Sequence, residues 1–183
     1  MILAAGLSFL TPSGSEFESP SSTSQSELTD KDDENTITKP IIKPSAGGIE
    51  GGNKEAVQTG RLPGYEEKEI NTDPESFCYL INSEVVFDKP DAVGNIMIEN
   101  NPGNICPMQL SYYIEGTDQL IYTSAMIYPN EYVSGDKLLT KLKKGQYDIN
   151  AVISVYDADT MELKTSFYEK VTLTINNKFL GLF

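Results

Sequence analysis

The sequence predicts an all-β fold: an antiparallel β-sandwich of about seven or eight strands, preceded by a disordered arm. Two observations carry this. The apolar residues are concentrated from about Phe77 onward, and there they alternate with polar ones every second position, as in Tyr147, Ile149, Ala151, Ile153 and Val155 against Asp148, Asn150 and Ser154. Period-2 patterning puts one face of each strand in a core and the other in water. No segment of 3.6-residue period lies between the strand-like runs, which excludes a βαβ arrangement.

The strands are read in order. Phe77–Ile81 and Glu84–Phe87 come first, the second ended by Asp88-Lys89-Pro90. Gly94–Glu99 follows, stopped by the turn signal Asn100-Asn101-Pro102-Gly103. Then come Met108–Glu115, Gln119–Ile127 up to Tyr128-Pro129-Asn130, and a looser run over Tyr132–Leu142. Tyr147–Tyr156 and Leu163–Ile175 are the last two. Strands of this length, spaced by turn residues, match a sandwich of about 100 residues. Leu142, Gly145 and Tyr147 resemble the tyrosine corner of immunoglobulin-like folds, in which the tyrosine hydroxyl bonds back to upstream backbone. The expected fold is therefore an immunoglobulin-like sandwich.

Three regions follow along the 183 residues. Residues 1–10 are an uncharged apolar run. It is too short to span a bilayer, which takes about 20 apolar residues, and it has no basic n-region. It reads as the later half of an export or anchor segment that begins upstream; the other reading is an apolar start that packs on the domain. Residues 11–61 are rich in Ser, Thr, Gly, Pro, Asp and Glu, and a stretch of this composition buries too little apolar surface to offset chain entropy. It reads as a disordered acidic linker. Its glycine pairs lack the strand before and the Gly-Lys-Ser/Thr after that a phosphate loop requires. Residues 62–183, opening on Leu62-Pro63-Gly64-Tyr65, are read as the sandwich.

The net charge of −13 argues against nucleic acid, whose binders cluster Lys and Arg against phosphates. It also disfavours docking of the folded domain on anionic lipid. The chain has no histidine, which removes the commonest general base and zinc ligand and every Ser-His or Cys-His pair. The expectation is a protein with no catalytic residues, no metal and no cofactor. Asp157, Asp159 and Glu162 share one hairpin tip, but three carboxylates without a glycine fall short of a calcium loop and suit an ordinary Asx turn.

Cys78 and Cys106 admit one disulfide, worth about 3–4 kcal/mol for a loop of this length; the other reading is two buried free thiols. Among the tyrosines, Tyr128 and Tyr132 flank a turn and are the best candidates for an exposed aromatic patch. Tyr113 joins them as one of an adjacent pair of which one member faces outward. Lys141-Leu142-Lys143-Lys144 reads as a solvated turn.

Gly94–Asn104, Leu120–Ser124, Leu142–Tyr147, and Tyr156-Asp157 with Thr160 and Glu162, together with the opening Leu62–Glu66, resemble a family of small, uncharacterised surface or secreted β-sandwich proteins of Gram-positive, Firmicutes-type bacteria. The resemblance covers about half of the chain. It implies a β-sandwich at the cell surface or outside the cell, joined through a low-complexity linker to an N-terminal membrane segment, and implies no activity. The function expected is a non-catalytic module making contacts with a protein or with the cell envelope, the partner being a protein or a cell-wall glycan, with membrane contact only through an N-terminal anchor. The alternative is a carbohydrate-binding module that uses surface tyrosines.

Overall fold

The structure, a computed structural model, describes residues 3–9 and 48–177. Its strands are β1 (Leu3–Phe9), β2 (Val57–Thr59), β3 (Ser76–Asn82), β4 (Glu84–Phe87), β5 (Ile98–Asn100), β6 (Met108–Ile114), β7 (Leu120–Thr123), β8 (Glu131–Val133), β9 (Gly145–Tyr156) and β10 (Leu163–Ile175). They form two sheets, ordered β1-β3-β5-β8-β2 and β4-β10-β9-β6-β7. The core between them is built from the alternating apolar positions: Phe77, Tyr79 and Ile81 of β3, Leu110 and Tyr112 of β6, Ile149 to Val155 of β9, and Val171, Leu173 and Ile175 of β10. Full burial of each large side chain contributes about 1.5–3 kcal/mol.

Not every pair is antiparallel as expected. β4 runs parallel to β10, Glu84 facing Thr172 and Phe87 facing Ile175. The cause is a crossing between sheets. β3 pairs with β5 in the first sheet; after Ser83 the chain continues as β4 in the second sheet. Asn82, fully buried, stitches the crossing: its Nδ2 donates to the carbonyls of Glu84 (2.9 Å) and Asn95 (2.8 Å), and its Oδ1 accepts from Glu84 N (3.0 Å). The buried side-chain amide of Asn82 is thus paired where the chain leaves the ladder.

Two expected strands are shorter than the pattern suggests. The run from Gly94 becomes β5 only at Ile98, because Met97 adopts a φ of 49°, a conformation that interrupts an extended chain. Gly94 keeps one antiparallel bridge to Asp136 and lies under the Phe87 ring, where a Cβ would come within 2.5 Å of ring carbon. The run from Tyr132 ends as β8 at Val133, where Ser134 and Gly135 lead into a loop.

Residues 48–61, inside the stretch read as linker, are ordered on the sandwich. Lys54–Ala56 form a 3₁₀ turn capped by Asn53, and β2 pairs with β8. Residues 10–47 lie outside the described residues. Leu3–Phe9, read as part of an export or anchor segment, pairs antiparallel with β3 along its whole length. Cys78 and Cys106 are free thiols. Strand alternation accounts for it: Phe77 and Tyr79 face the core, so Cys78 between them faces the other way, whereas Cys106 belongs to the core.

The tyrosines of the core resist ionisation. Burial raises the pKa of Tyr112 and, first among several causes, of Tyr79 and Tyr122; Glu169, which accepts from the Tyr79 hydroxyl at 2.8 Å, and Asp136, 3.5 Å from that of Tyr122, push in the same direction. Because the unfolded chain loses these protons at its ordinary value near 10 and the folded chain does not, stability is intact below about pH 10 and falls above it. An alkaline absorbance titration should therefore show these three phenols ionising only together with unfolding. The Tyr112 hydroxyl, moreover, is fully buried without a hydrogen-bond partner. Removing it in Tyr112→Phe should raise the unfolding free energy by about 1 kcal/mol in a urea titration.

Candidate contact surface

The surface is assembled where the 3₁₀ turn and β2 meet the turn that follows β7. Asn53 fixes the first of these. Its Oδ1 accepts from Glu55 N (3.1 Å) and its Nδ2 donates to Asp136 Oδ1 (3.1 Å), while Ala56 is buried beneath. Gly52 lets this chain lie close: a Cβ there would sit 2.2 Å from the Ser124 and Ala125 backbone. On the other side, Ile127 is fully buried and bridged to Met108, which anchors the neighbouring Tyr128. The turn closes through Tyr128 N, which donates to Glu131 Oε2 (2.8 Å), and Glu131 N, which donates to the Tyr128 carbonyl (3.0 Å); Asn130 takes the left-handed conformation, φ 64°, that asparagine tolerates.

Between these elements lies an open depression of about 340 Å³, lined by Lys54, Val57, Ala125, Met126, Tyr128 and Glu131. Tyr128 is 49% exposed. The depression thus offers one aromatic face, a flexible thioether, two small apolar side chains, and one charge of each sign. Such a lining can hold a flat or apolar group and hydrogen-bond its rim. The lining includes one carboxylate, Glu131, and therefore no carboxylate pair.

Of the three tyrosines singled out from sequence, only Tyr128 is exposed. Tyr132 is 8% exposed, and its hydroxyl donates to Gln58 Oε1 (2.7 Å) across the β8–β2 pair, so it does not join Tyr128 in a surface patch. Tyr113 is 3% exposed and belongs to β6 in the other sheet, on the face of Gln109 and Ser111. Gln109 holds the incoming chain there, accepting from Ile49 N and donating to the Ile49 carbonyl, both at 2.7 Å. Lys54, Val57, Met126 and Glu131 had no sequence signal as site residues; Val57-Gln58-Thr59 before Gly60, which takes a positive φ of 118°, is a strand-and-turn signal too short to stand out from its surroundings.

The acidic tip behaves as a turn. Asp157 Oδ1 accepts from Asp159 N (3.1 Å), Thr160 N (3.0 Å) and Thr160 Oγ1 (3.3 Å), and the backbone bonds hold its carboxyl below the ordinary value. Among the described residues no group of three His, Cys, Asp or Glu side chains could hold a metal. No described helix is long and apolar enough to cross a membrane. No family model, curated protein or solved structure matches the chain.

Proposed function

We propose that this chain is a non-catalytic binding module, exported or tethered at the cell surface, that makes protein or cell-envelope contacts through the Tyr128 depression. The observation that carries this is the pairing of a half-exposed tyrosine with Met126 and Val57 in an open hollow flanked by Lys54 and Glu131. Aromatic anchors of this kind dominate binding energy at protein contacts. The same exposed ring supports the second reading, a carbohydrate-binding module, because a tyrosine face stacks on a sugar ring. The absence of histidine from the sequence supports a role other than catalysis. Placement outside the cytoplasm rests on the resemblance described above and on the Ser-rich acidic stretch after the apolar run.

An immunoglobulin-like topology is part of the proposal. It is supported by the crossing from β3 to β4, by the parallel β4–β10 pair, and by the Tyr147 hydroxyl, which donates to the Lys143 carbonyl (2.9 Å) at the start of β9.

The test is binding of the purified chain to a glycan array and to isolated cell-wall fragments, repeated with Tyr128→Ala and Tyr132→Phe. Tyr128→Ala should weaken binding at least about tenfold while leaving the circular-dichroism spectrum unchanged, and Tyr132→Phe should bind as the parent does. Undiminished binding by Tyr128→Ala would remove the depression as the contact site. Protease treatment of intact cells should release the module if it is displayed outside.

A further inference from the structure

The sheet edges differ in how they are closed. β7 receives Leu139, whose N–H donates to the Ile121 carbonyl (2.9 Å), and its next residue Ser124 bridges to Asn53. The edge of β4 is blunted by Asn95, whose Oδ1 accepts from Val86 N and whose own N–H donates to the Val86 carbonyl (3.3 Å). β2 is only three residues long. β3 alone offers a long run, and its outer edge is paired over seven residues, Leu3 with Asn82 through Phe9 with Ser76, without a bulge. β1 has no other strand partner in its sheet. It contains neither charge nor proline, the two devices that usually stop an edge strand from joining another chain.

We infer that the β3 edge is a strand-acceptor site and that a second copy of this chain can fill it with its own Leu3–Phe9. The register supports an exchangeable fit. It pairs seven consecutive residues, Leu3 with Asn82 through Phe9 with Ser76, and a second chain's Leu3–Phe9 can take the same seven backbone pairings. The strand is joined to Gly48, the next described residue, through residues 10–47. That length reaches at most about 130 Å when fully extended, enough to span two neighbouring copies. Exchange makes the same backbone bonds as the intramolecular pairing, so neither form is favoured by its contacts. The balance is then set by concentration, because intramolecular pairing is unaffected by dilution and intermolecular pairing grows with the amount of chain. Dilute chains keep the strand to themselves, and chains crowded side by side trade it. This inference does not depend on the Tyr128 depression.

The full chain supplies its own reporter, because Leu7 and Cys78 are register partners. Directly opposed residues of antiparallel strands have Cα atoms about 4.5–5.5 Å apart, within the range a disulfide spans. In the single variant Leu7→Cys, mild oxidation at micromolar concentration should link the introduced thiol to Cys78 of the same chain. A chain carrying Leu7→Cys and Cys78→Ala is then mixed with the parent chain, so that a link to Cys78 can only be intermolecular. Peptide mapping should find the introduced thiol bonded to Cys78 of the other chain, in a yield that rises toward millimolar concentration and is at least tenfold that of the matching Ser8→Cys, Cys78→Ala chain. Ser8 is the register partner of Phe77, one position away from Cys78. The inference is overturned if the intramolecular link forms but the mixed dimer does not appear at millimolar concentration. It is equally overturned if Ser8→Cys gives as much dimer as Leu7→Cys, or if no link to Cys78 forms in either experiment.

Discussion

Replacing Arg61 by alanine lowers the unfolding free energy by about 3–5 kcal/mol, the cost of stranding a buried charge. Glu99 sits in β5 between Leu80 and Tyr132, and is fully buried. Its two oxygens are held separately: Oε1 by Arg61 Nε (2.7 Å) and Oε2 by the Leu62 N–H (2.6 Å). Arg61→Ala removes the only cationic partner that reaches this carboxylate among the described residues and leaves a single amide to solvate it. The guanidinium also donates to the carbonyls of Lys68 (3.1 Å), Tyr65 and Glu66 (both 3.4 Å), so the segment that covers Glu99 is tied down by the same side chain. The variant should therefore become sensitive to protease within residues 61–68 before it unfolds globally. Urea denaturation measures the main effect. A loss below about 1 kcal/mol would mean that water already reaches Glu99. Replacing both partners together by leucine should cost clearly less than Arg61→Ala alone, because a buried ion pair contributes little net stability over an apolar pair of similar volume.

Arg61 and Glu99 also mark where sequence patterning stops being informative. β9 and β10 are legible because each is long and carries a stretch of clean alternation, Tyr147–Ala151 in one and Val171–Ile175 in the other, where a register error would turn the apolar side chains to water. β4 is legible for the same reason at a smaller scale, Val85 and Phe87 being buried between exposed Glu84 and Val86. β5 is not: Ile98, Glu99 and Asn100 are all buried, one face by the core and the other by residues 61–68 lying over the sheet. Alternation tells which residues share a face and says nothing of whether that face is covered. This is also why Tyr132 resembles a surface residue in the sequence and is buried in the fold. β2 was lost for another reason. Three residues carry almost no periodic signal, and the Gly-rich composition before them dominates any window that contains them. The contact surface inherits that blindness. Tyr128 stands out beside a Pro-Asn turn, but Lys54 and Val57 come to it through the β2–β8 pairing, a contact between segments some 75 residues apart in sequence.

Asn104→Ala should cost about 3 kcal/mol, more than a turn residue ordinarily would. The run Asn100-Asn101-Pro102-Gly103-Asn104 reads as a turn, and in the fold it is a buried polar knot. Asn104 is 5% exposed and makes four hydrogen bonds: Nδ2 donates to the Cys78 carbonyl (2.6 Å) and to Asn100 Oδ1 (2.7 Å), and Oδ1 accepts from Cys78 N (3.0 Å) and Asn71 Nδ2 (3.1 Å). The side-chain amide thus extends the β3–β5 ladder beyond the point where β5 ends. With alanine, the Cys78 carbonyl keeps the Asn101 N–H (3.3 Å) and Asn71 Nδ2 keeps the Ser76 carbonyl (3.1 Å), but the Cys78 N–H and Asn100 Oδ1 lose these partners. Each unsatisfied group costs about 1–3 kcal/mol, which gives the figure. Asn104→Asp separates geometry from chemistry. It preserves shape and the acceptor for Cys78 N, yet aims a carboxylate oxygen at the Cys78 carbonyl and Asn100 Oδ1, so it should be at least as destabilising as alanine at neutral pH. A merely local turn would respond in the opposite way, since aspartate is as good a turn residue as asparagine. Urea denaturation of both variants, with hydrogen exchange at the Cys78 amide, decides between them: an aspartate variant as stable as the parent would show that the knot is only a turn.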